Sequence, residues 1–334
     1  MLTRIRMLRV GNLWQLLKLA IRFYSLQRYF KKLFTEEIDP LFSDIYNFLQ
    51  EPQVKRLRYR VKNYTVTLAP FFGSLLYELH NLKPDSKQRR LLALAGAATA
   101  FFDMIYDENW KGESLIVFPP QESDDPVGKL LYNLYHLIMK EAPMPDGLLR
   151  WINHISKIEH ESCQQKGSLS REELERITFM KGAGGLMVFR HLLPVEVKIE
   201  EEDALMVAGA AIQLMDDMVD VWQDLQEGIT TPASYFPSPF VFAQHIEGLF
   251  EEIYAKLITA GFSRPLVFRF CFTLYAAFLL GKVHTQRLTL YLEKTGKPLA
   301  TLSKPEVALK SNMSFWVIYF GQILKFRIVD QKIK

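Results

Sequence analysis

The sequence predicts an all-α protein built as a single helical bundle, and three observations carry that expectation. About half of the 334 residues are apolar (49%) and 13% are aromatic, enough to bury a large core. Helix start and stop signals recur along the whole length, and strand-like alternation is nearly absent.

The punctuation places the elements in order. Asp39-Pro40, Asp125-Pro126 and Ser238-Pro239 each read as an N-cap followed by proline at the first helical position. Ser170 with Glu173, and Ser303 with Glu306, read as capping boxes. Gly167, Gly228, Gly261 and Gly296 follow apolar-periodic runs, as C-terminal stops do. Helices are expected over roughly 13–34, 40–50, 53–81, 85–109, 126–141, 146–166, 171–193, 199–227, 239–260, 264–295 and 304–329. No low-complexity linker interrupts them, so the expectation is one helical domain over 37–334 behind a basic amphipathic segment over 1–36.

The net charge of +4 hides a strong asymmetry. Residues 1–34 carry Arg4, Arg6, Arg9, Lys18, Arg22, Arg28, Lys31 and Lys32 and no acid, and Lys55, Arg56, Arg58, Arg60 and Lys62 follow. Between Lys198 and Lys256 there is no Lys or Arg at all. The basic helix over 13–34, with Trp14, Phe23, Tyr24, Tyr29 and Phe30, suits either packing on the body of the protein or peripheral contact with an anionic membrane through residues 1–34. The apolar runs at 91–102, 204–212 and 313–320 are too short to span a bilayer. Cys163 and Cys271 read as small core residues in a reducing compartment, and no secretory signal is evident. The expected location is therefore the cytoplasm, or the inner face of the membrane, as monomer or homodimer. The basic patches lack any nucleic-acid-binding module, so no nucleic acid partner is expected. A ferritin-like metal bundle would need Glu-x-x-His pairs, which the sequence lacks.

The most informative feature is an internal echo. Ala95-Gly96-Ala97-Ala98 is followed by Asp103 and Asp107, and Ala208-Gly209-Ala210-Ala211 is followed at the same offsets by Asp216 and Asp220. Small residues let helices approach closely, so both segments belong at the centre of a bundle with carboxylates beyond them. In the second copy, at about 100° per residue, Gln213, Asp217, Asp220 and Asp224 share a stripe roughly 60° wide, with Asp216 beside it. Like charges at these spacings repel, and no basic residue is near in sequence. Hard oxygen ligands without basic partners suit Mg²⁺, which takes one or two carboxylates plus phosphate oxygens. In the first copy, Asp103 and Asp107 share a face and Glu108 lies about 100° round from Asp107.

These motifs resemble those of the class I isoprenoid synthase superfamily: terpene synthases, squalene and phytoene synthases, and trans-prenyltransferases. QLMDDMVDVWQDLQEGITTP, over 213–232, is similar to the second acidic motif of that family, FFDMIYDE to the first, and ITFMKGAGG, over 177–185, to its kinked helix with a lysine before small residues. The first motif departs from chain-elongating prenyltransferases, because Asn109, Trp110, Lys111 and Gly112 stand where paired arginines are usual. The likeness is strongest to bacterial class I isoprenoid enzymes.

The resemblance implies a helical bundle with a central cavity and several Mg²⁺ ions per site. Asp103, Asp107, Glu108, Asp216, Asp217, Asp220 and Asp224 would hold the metal, with Lys181 and Arg287 assisting the leaving diphosphate. Gln213, Lys181, Arg287 and Tyr291 would bind the diphosphate end of the prenyl diphosphate substrate. Phe102, Tyr106, Phe179 and Trp222 would wall the cation by cation–π contact, with Phe101, Met215, Met218, Phe272, Phe278, Phe315 and Trp316 as further candidates. The implied activity is ionisation of one allylic prenyl diphosphate by a terpene synthase. Alternatives are condensation of two prenyl diphosphates, head-to-head or by chain elongation, and a non-catalytic helical module that binds a prenyl lipid or membrane.

Overall fold

Proline sets the first irregularities of the fold. The structure, a computed structural model, describes residues 10–110, 114–166, 169–307 and 313–327. Helix α1 (Val10–Leu33) runs into a π-helical stretch, Phe34–Ile38, then a 3₁₀ turn, Asp39–Phe42, that leads to α2 (Ser43–Phe48). Helix α3 (Glu51–Asn63) runs likewise into a π-helical stretch, Tyr64–Leu68, before α4 (Ala69–Leu79). Each π stretch immediately precedes a proline, Pro40 or Pro70. A proline has no N–H and its ring crowds the carbonyl four residues back, here of Glu36 or Val66, so the preceding turn widens.

The remaining helices are α5 (Ser86–Asp107), α6 (Pro126–Glu141), α7 (Pro145–Ser162), α8 (Arg171–Arg190), α9 (Ile199–Glu227), α10 (Pro239–Thr259), α11 (Arg264–Thr295), α12 (Lys304–Val307) and α13 (Met313–Lys325). Among the described residues there is no strand, and the all-α expectation holds. Asp125 and Ser238 cap α6 and α10, accepting from Gly128 N at 2.9 Å and Val241 N at 3.3 Å. Ser170 and Ser303 form their boxes with Glu173 and Glu306. Gly228, Gly261 and Gly296 adopt left-handed φ of 70°, 90° and 66°. The expected stop at Gly167 lies outside the described residues. Asp39 is a correction: it caps nothing, because the chain stays helical through it, and its carboxylate takes Arg58 and the Tyr46 hydroxyl instead.

The chain divides into two compact units, Ile21–Gln164 with Ala183–Glu202, and Met1–Ala20 with Gln165–Gly182 and Asp203–Lys334. The boundary expected near residue 36 falls inside the Phe34–Ile38 stretch. In the first unit α5 is the hub, packed against α3, α4, α6 and α7. Gly96 makes this possible, since a Cβ there would stand 2.9 Å from both Tyr64 O and Ala69 Cβ. A buried ion pair closes the same unit. Arg190, fully buried, pairs with Glu201 and donates from Nη1 to Val195 O at 2.8 Å and from Nη2 to Glu196 O at 3.0 Å. His80 Nε2 lies 2.8 Å from the same Glu201 Oε1. Burial alone would raise the Glu201 carboxyl, but hydrogen bonds with His80 and Arg190 hold it below its ordinary value.

In the second unit, glycine again sets the helix crossings. A Cβ on Gly182 of α8 would collide with the Gly209 carbonyl oxygen of α9, and one on Gly281 of α11 would stand 2.5 Å from Met218 Cε. Helix α11 packs against α10 and α13, and Glu247 of α10 pairs with Lys282 and accepts from the Tyr275 hydroxyl at 2.8 Å. By length and composition α11 is apolar enough to cross a membrane, but 72% of that stretch is buried inside the protein.

The Arg190–Glu201 pair generates a test. Glu201→Ala leaves a buried guanidinium uncompensated and should cost about 3–5 kcal/mol. The double variant Arg190→Met, Glu201→Leu should recover most of that loss in urea unfolding.

Candidate functional site: two acidic motifs

Each acidic motif lies in its own unit, and each ends a helix in the same way. Helix α5 closes with Asn109 at φ 51°, Trp110 N donating to Ile105 O at 3.0 Å and Asn109 N to Tyr106 O at 3.1 Å. Helix α9 closes with Gly228 in the left-handed region and Ile229 N donating to Asp224 O at 2.8 Å. These are Schellman-type ends. Their carbonyls face outward, so the helix dipole adds negative potential where the carboxylates already gather.

The two motifs answer that potential differently. In the first, Tyr64 donates its hydroxyl to Asp103 Oδ2 at 2.8 Å, Arg60 pairs with Asp107, and Arg56 Nη2 donates to Glu108 Oε2 at 3.0 Å. Burial pulls the Arg60 guanidinium down, but Asp107, with Asp103 behind it, holds it above its ordinary value. Below the motif, Phe102 is buried and stacks edge-on with Tyr106 at 5.2 Å. The Tyr106 hydroxyl lies 3.3 Å from Ser156 O and accepts from Ile116 N at 3.2 Å. Phe102 and Tyr106 therefore belong to the packing that supports the end of α5.

In the second motif Gln213 reaches along α9 to its neighbours. Gln213 Nε2 donates to Asp217 Oδ1 at 3.2 Å and, more weakly, to Asp216 Oδ2 at 3.5 Å. Asp217 is buried, and its Oδ2 has no hydrogen-bond donor. Burial raises its carboxyl to about 7, and the charges of Asp216 and Asp224 add to the effect. Asp224 is raised to about 7 by partial loss of water, with Asp220, Asp216 and Glu227 adding repulsion, and Asp220 is raised to about 6 in the same way. The charge that offsets this is Lys181, beside the close crossing at Gly182, which lowers Asp217 and Asp224. Phe179, half-buried, precedes it on α8.

Arg287 is half-buried on α11, and with burial its charge pushes the His284 imidazole down. Tyr291 donates its hydroxyl to Glu306 Oε1 at 2.9 Å, at the cap of α12. Trp222 donates its indole N–H to Leu302 O at 3.0 Å, and Gln226 of α9 donates to Ala300 O at 2.8 Å, holding the 296–303 segment on α9.

Sequence reasoning missed the partners of the first motif. Arg56, Arg60 and Tyr64 repeat at four-residue spacing, the same spacing as Asp103 and Asp107, and that match of opposite charges on two helices was the available signal. It also missed Gln286 and Thr289 on α11, which bury Oε1 and Oγ1 without a hydrogen bond.

Whether Mg²⁺ fits can be judged from the donors. Among the described residues no three His, Cys, Asp or Glu side chains converge tightly enough to hold a metal. The carboxylates of α9 nevertheless have the right chemistry. They are hard oxygens raised by burial and then by mutual repulsion, and one buried oxygen lacks a donor. Mg²⁺ draws most of its ligands from water and phosphate and needs only one or two carboxylates, so the donor set fits.

No family model matches the chain, and no curated protein does. Among solved structures, the chain is similar to T. brucei FPPS in complex with 1-((1H-indol-3-yl)methyl)-N-(3-chlorobenzyl)piperidin-4-amine. The identity is 13%, over 92% of this chain and 99% of that one, with a TM-score of 0.34.

The raised carboxyl of Asp217 predicts a pH signature. The folded state keeps a proton that the unfolded chain, with its ordinary value of 3.8, gives up. The stabilising contribution is complete below about pH 4 and is lost as pH rises through about 7. Asp217→Asn should therefore raise the melting temperature in chelator, by a margin that grows from pH 4 to pH 7 and then levels off. A pH-independent margin would contradict this electrostatic account.

Proposed function

We propose that the chain is a Mg²⁺-dependent class I isoprenoid synthase of the terpene synthase type, acting on an allylic prenyl diphosphate. The observation that supports this best is the α9 stripe, where Asp217, Asp220 and Asp224 are raised by burial and by one another's charge beside Asp216, and Lys181 lowers Asp217 and Asp224. A stripe with this much self-repulsion is costly to fold and is relieved by a divalent cation.

Asp216, Asp217, Asp220 and Asp224 would hold the metal, and Gln213 orients Asp217 through its amide. A divalent cation held by these aspartates would supply Lewis-acid stabilisation of the negative charge that develops on the diphosphate as the carbon–oxygen bond breaks. Lys181 places a positive charge beside that same stripe, suited to the leaving diphosphate. Asp103, Asp107 and Glu108 form the second candidate set, and their use requires exchange of the hydrogen bonds from Tyr64, Arg60 and Arg56. Phe179, next to Lys181 on α8, offers an aromatic face to a developing carbocation.

The test is diphosphate release from geranyl, farnesyl and geranylgeranyl diphosphates, with Mg²⁺ and with excess chelator, alongside mass analysis of the organic product. Asp220→Asn and Asp107→Asn should each lower release by roughly 10²-fold or more, the scale seen when one electrostatic contact is removed from a preorganised site. A product carrying one prenyl chain supports the terpene synthase reading, and one carrying two chains moves it to head-to-head condensation. No release from any substrate by a folded protein would sink the enzyme reading in favour of a prenyl-lipid-binding module.

A further inference from the structure

We propose that the outer faces of α1 and α13 form a docking surface for an anionic lipid bilayer. The inference stands apart from the catalytic reading. Both helices have an inward face that packs, with Phe30 and Leu33 buried on α1 and Phe315, Tyr319 and Ile323 on α13. Both also carry a second apolar stripe that is partly exposed among the described residues. On α1, Trp14, Leu17, Ile21 and Tyr24 are 57%, 47%, 63% and 65% exposed and share a stripe about 80° wide. On α13, Met313, Trp316, Val317 and Phe320 are 83%, 42%, 66% and 41% exposed and share one about 100° wide. Single exposed apolar residues need no explanation, but two helical stripes of them do.

Asn12 ties the two helices together. Its buried amide donates to Ile323 O at 2.8 Å and to Phe326 O at 3.2 Å, capping the last carbonyls of α13 with the start of α1. The stripes are thus on helices clipped end to end.

Charge decides the occupant. Neither helix contains an Asp or Glu. Lys18 lies 5.3 Å over the Trp14 ring, exposed Arg28 and Lys31 follow along α1, and Lys325 ends α13. Indole and phenol rings settle at the headgroup level of a bilayer, aliphatic side chains just below it, and Lys and Arg against lipid phosphates. A second copy of this chain docked through the same surface would bring the basic face of α1 against its own copy, which like charge opposes. The buried α11 keeps the contact peripheral.

The test is co-sedimentation with vesicles of phosphatidylcholine containing roughly 30% phosphatidylserine, and with phosphatidylcholine alone. The full chain should bind the anionic vesicles at least tenfold more tightly than the neutral ones, and the binding should weaken with salt. The exposed pairs Trp14→Ser/Leu17→Ser and Trp316→Ser/Phe320→Ser should each lose about tenfold or more in affinity while keeping the wild-type circular dichroism. Quenching of tryptophan fluorescence by brominated lipid should fall in both. Three results would overturn the proposal: no binding by the wild type, undiminished binding by the α13 pair, or a dimer on gel filtration that the α13 pair dissolves.

Discussion

Four aspartates held on one helix face, with Lys181 close enough to lower two of them, set the terms for the rest of the α9 unit. The repulsion cannot relax by moving the helix, because α9 is gripped on two sides. Gly182 lets α8 press against the Gly209 carbonyl, and Gly281 lets α11 press against Met218. The result is a carboxylate cluster whose members are raised to about 6 and 7, one of them with a buried oxygen that no donor reaches. Unpaired buried polar atoms are rare in folded proteins and point to a site that is completed by something else. A stripe of this kind lowers the stability of the cation-free protein, the usual compromise at functional sites.

The first motif shows what the same spacing looks like when the protein supplies its own counter-charge. Asp103, Asp107 and Glu108 crowd the carbonyl end of α5, yet α3 and the π stretch after it bring Arg56, Arg60 and Tyr64 alongside. Gly96 sets that approach, as Gly182 sets the other. The internal echo in the sequence thus marks a shared construction, small residues for a close crossing and then acids at a capped helix end. It does not mark a shared electrostatic state.

Most helix boundaries could be read from caps and prolines because those signals are local, acting within four residues. Asp125, Ser170, Ser238 and Ser303 behave as their neighbours in sequence dictate. Asp39 does not, because a partner at residue 58 competes for its carboxylate. The long helix expected over 53–81 runs on through α3 and α4 and only widens into a π turn at Tyr64–Leu68, where Pro70 disturbs the preceding turn. The acidic stripe of α9 was legible because all its members lie on one helix. The arginines facing Asp107 and Glu108 were not, since pairing across 47 and 52 residues depends on which helices meet. For the same reason the exposed stripe of α13, apolar enough to read as core, announced nothing about its surroundings.

The central proposal is that the α9 stripe takes up a divalent cation in exchange for protons. Titrating Mg²⁺ calorimetrically at pH 6.5, in two buffers of different ionisation enthalpy, measures both binding and the protons released by it. The account predicts binding accompanied by net proton release, with both reduced in Asp217→Asn and Asp224→Asn. Binding with no proton release, or binding unchanged in those two variants, would place the metal elsewhere and contradict it.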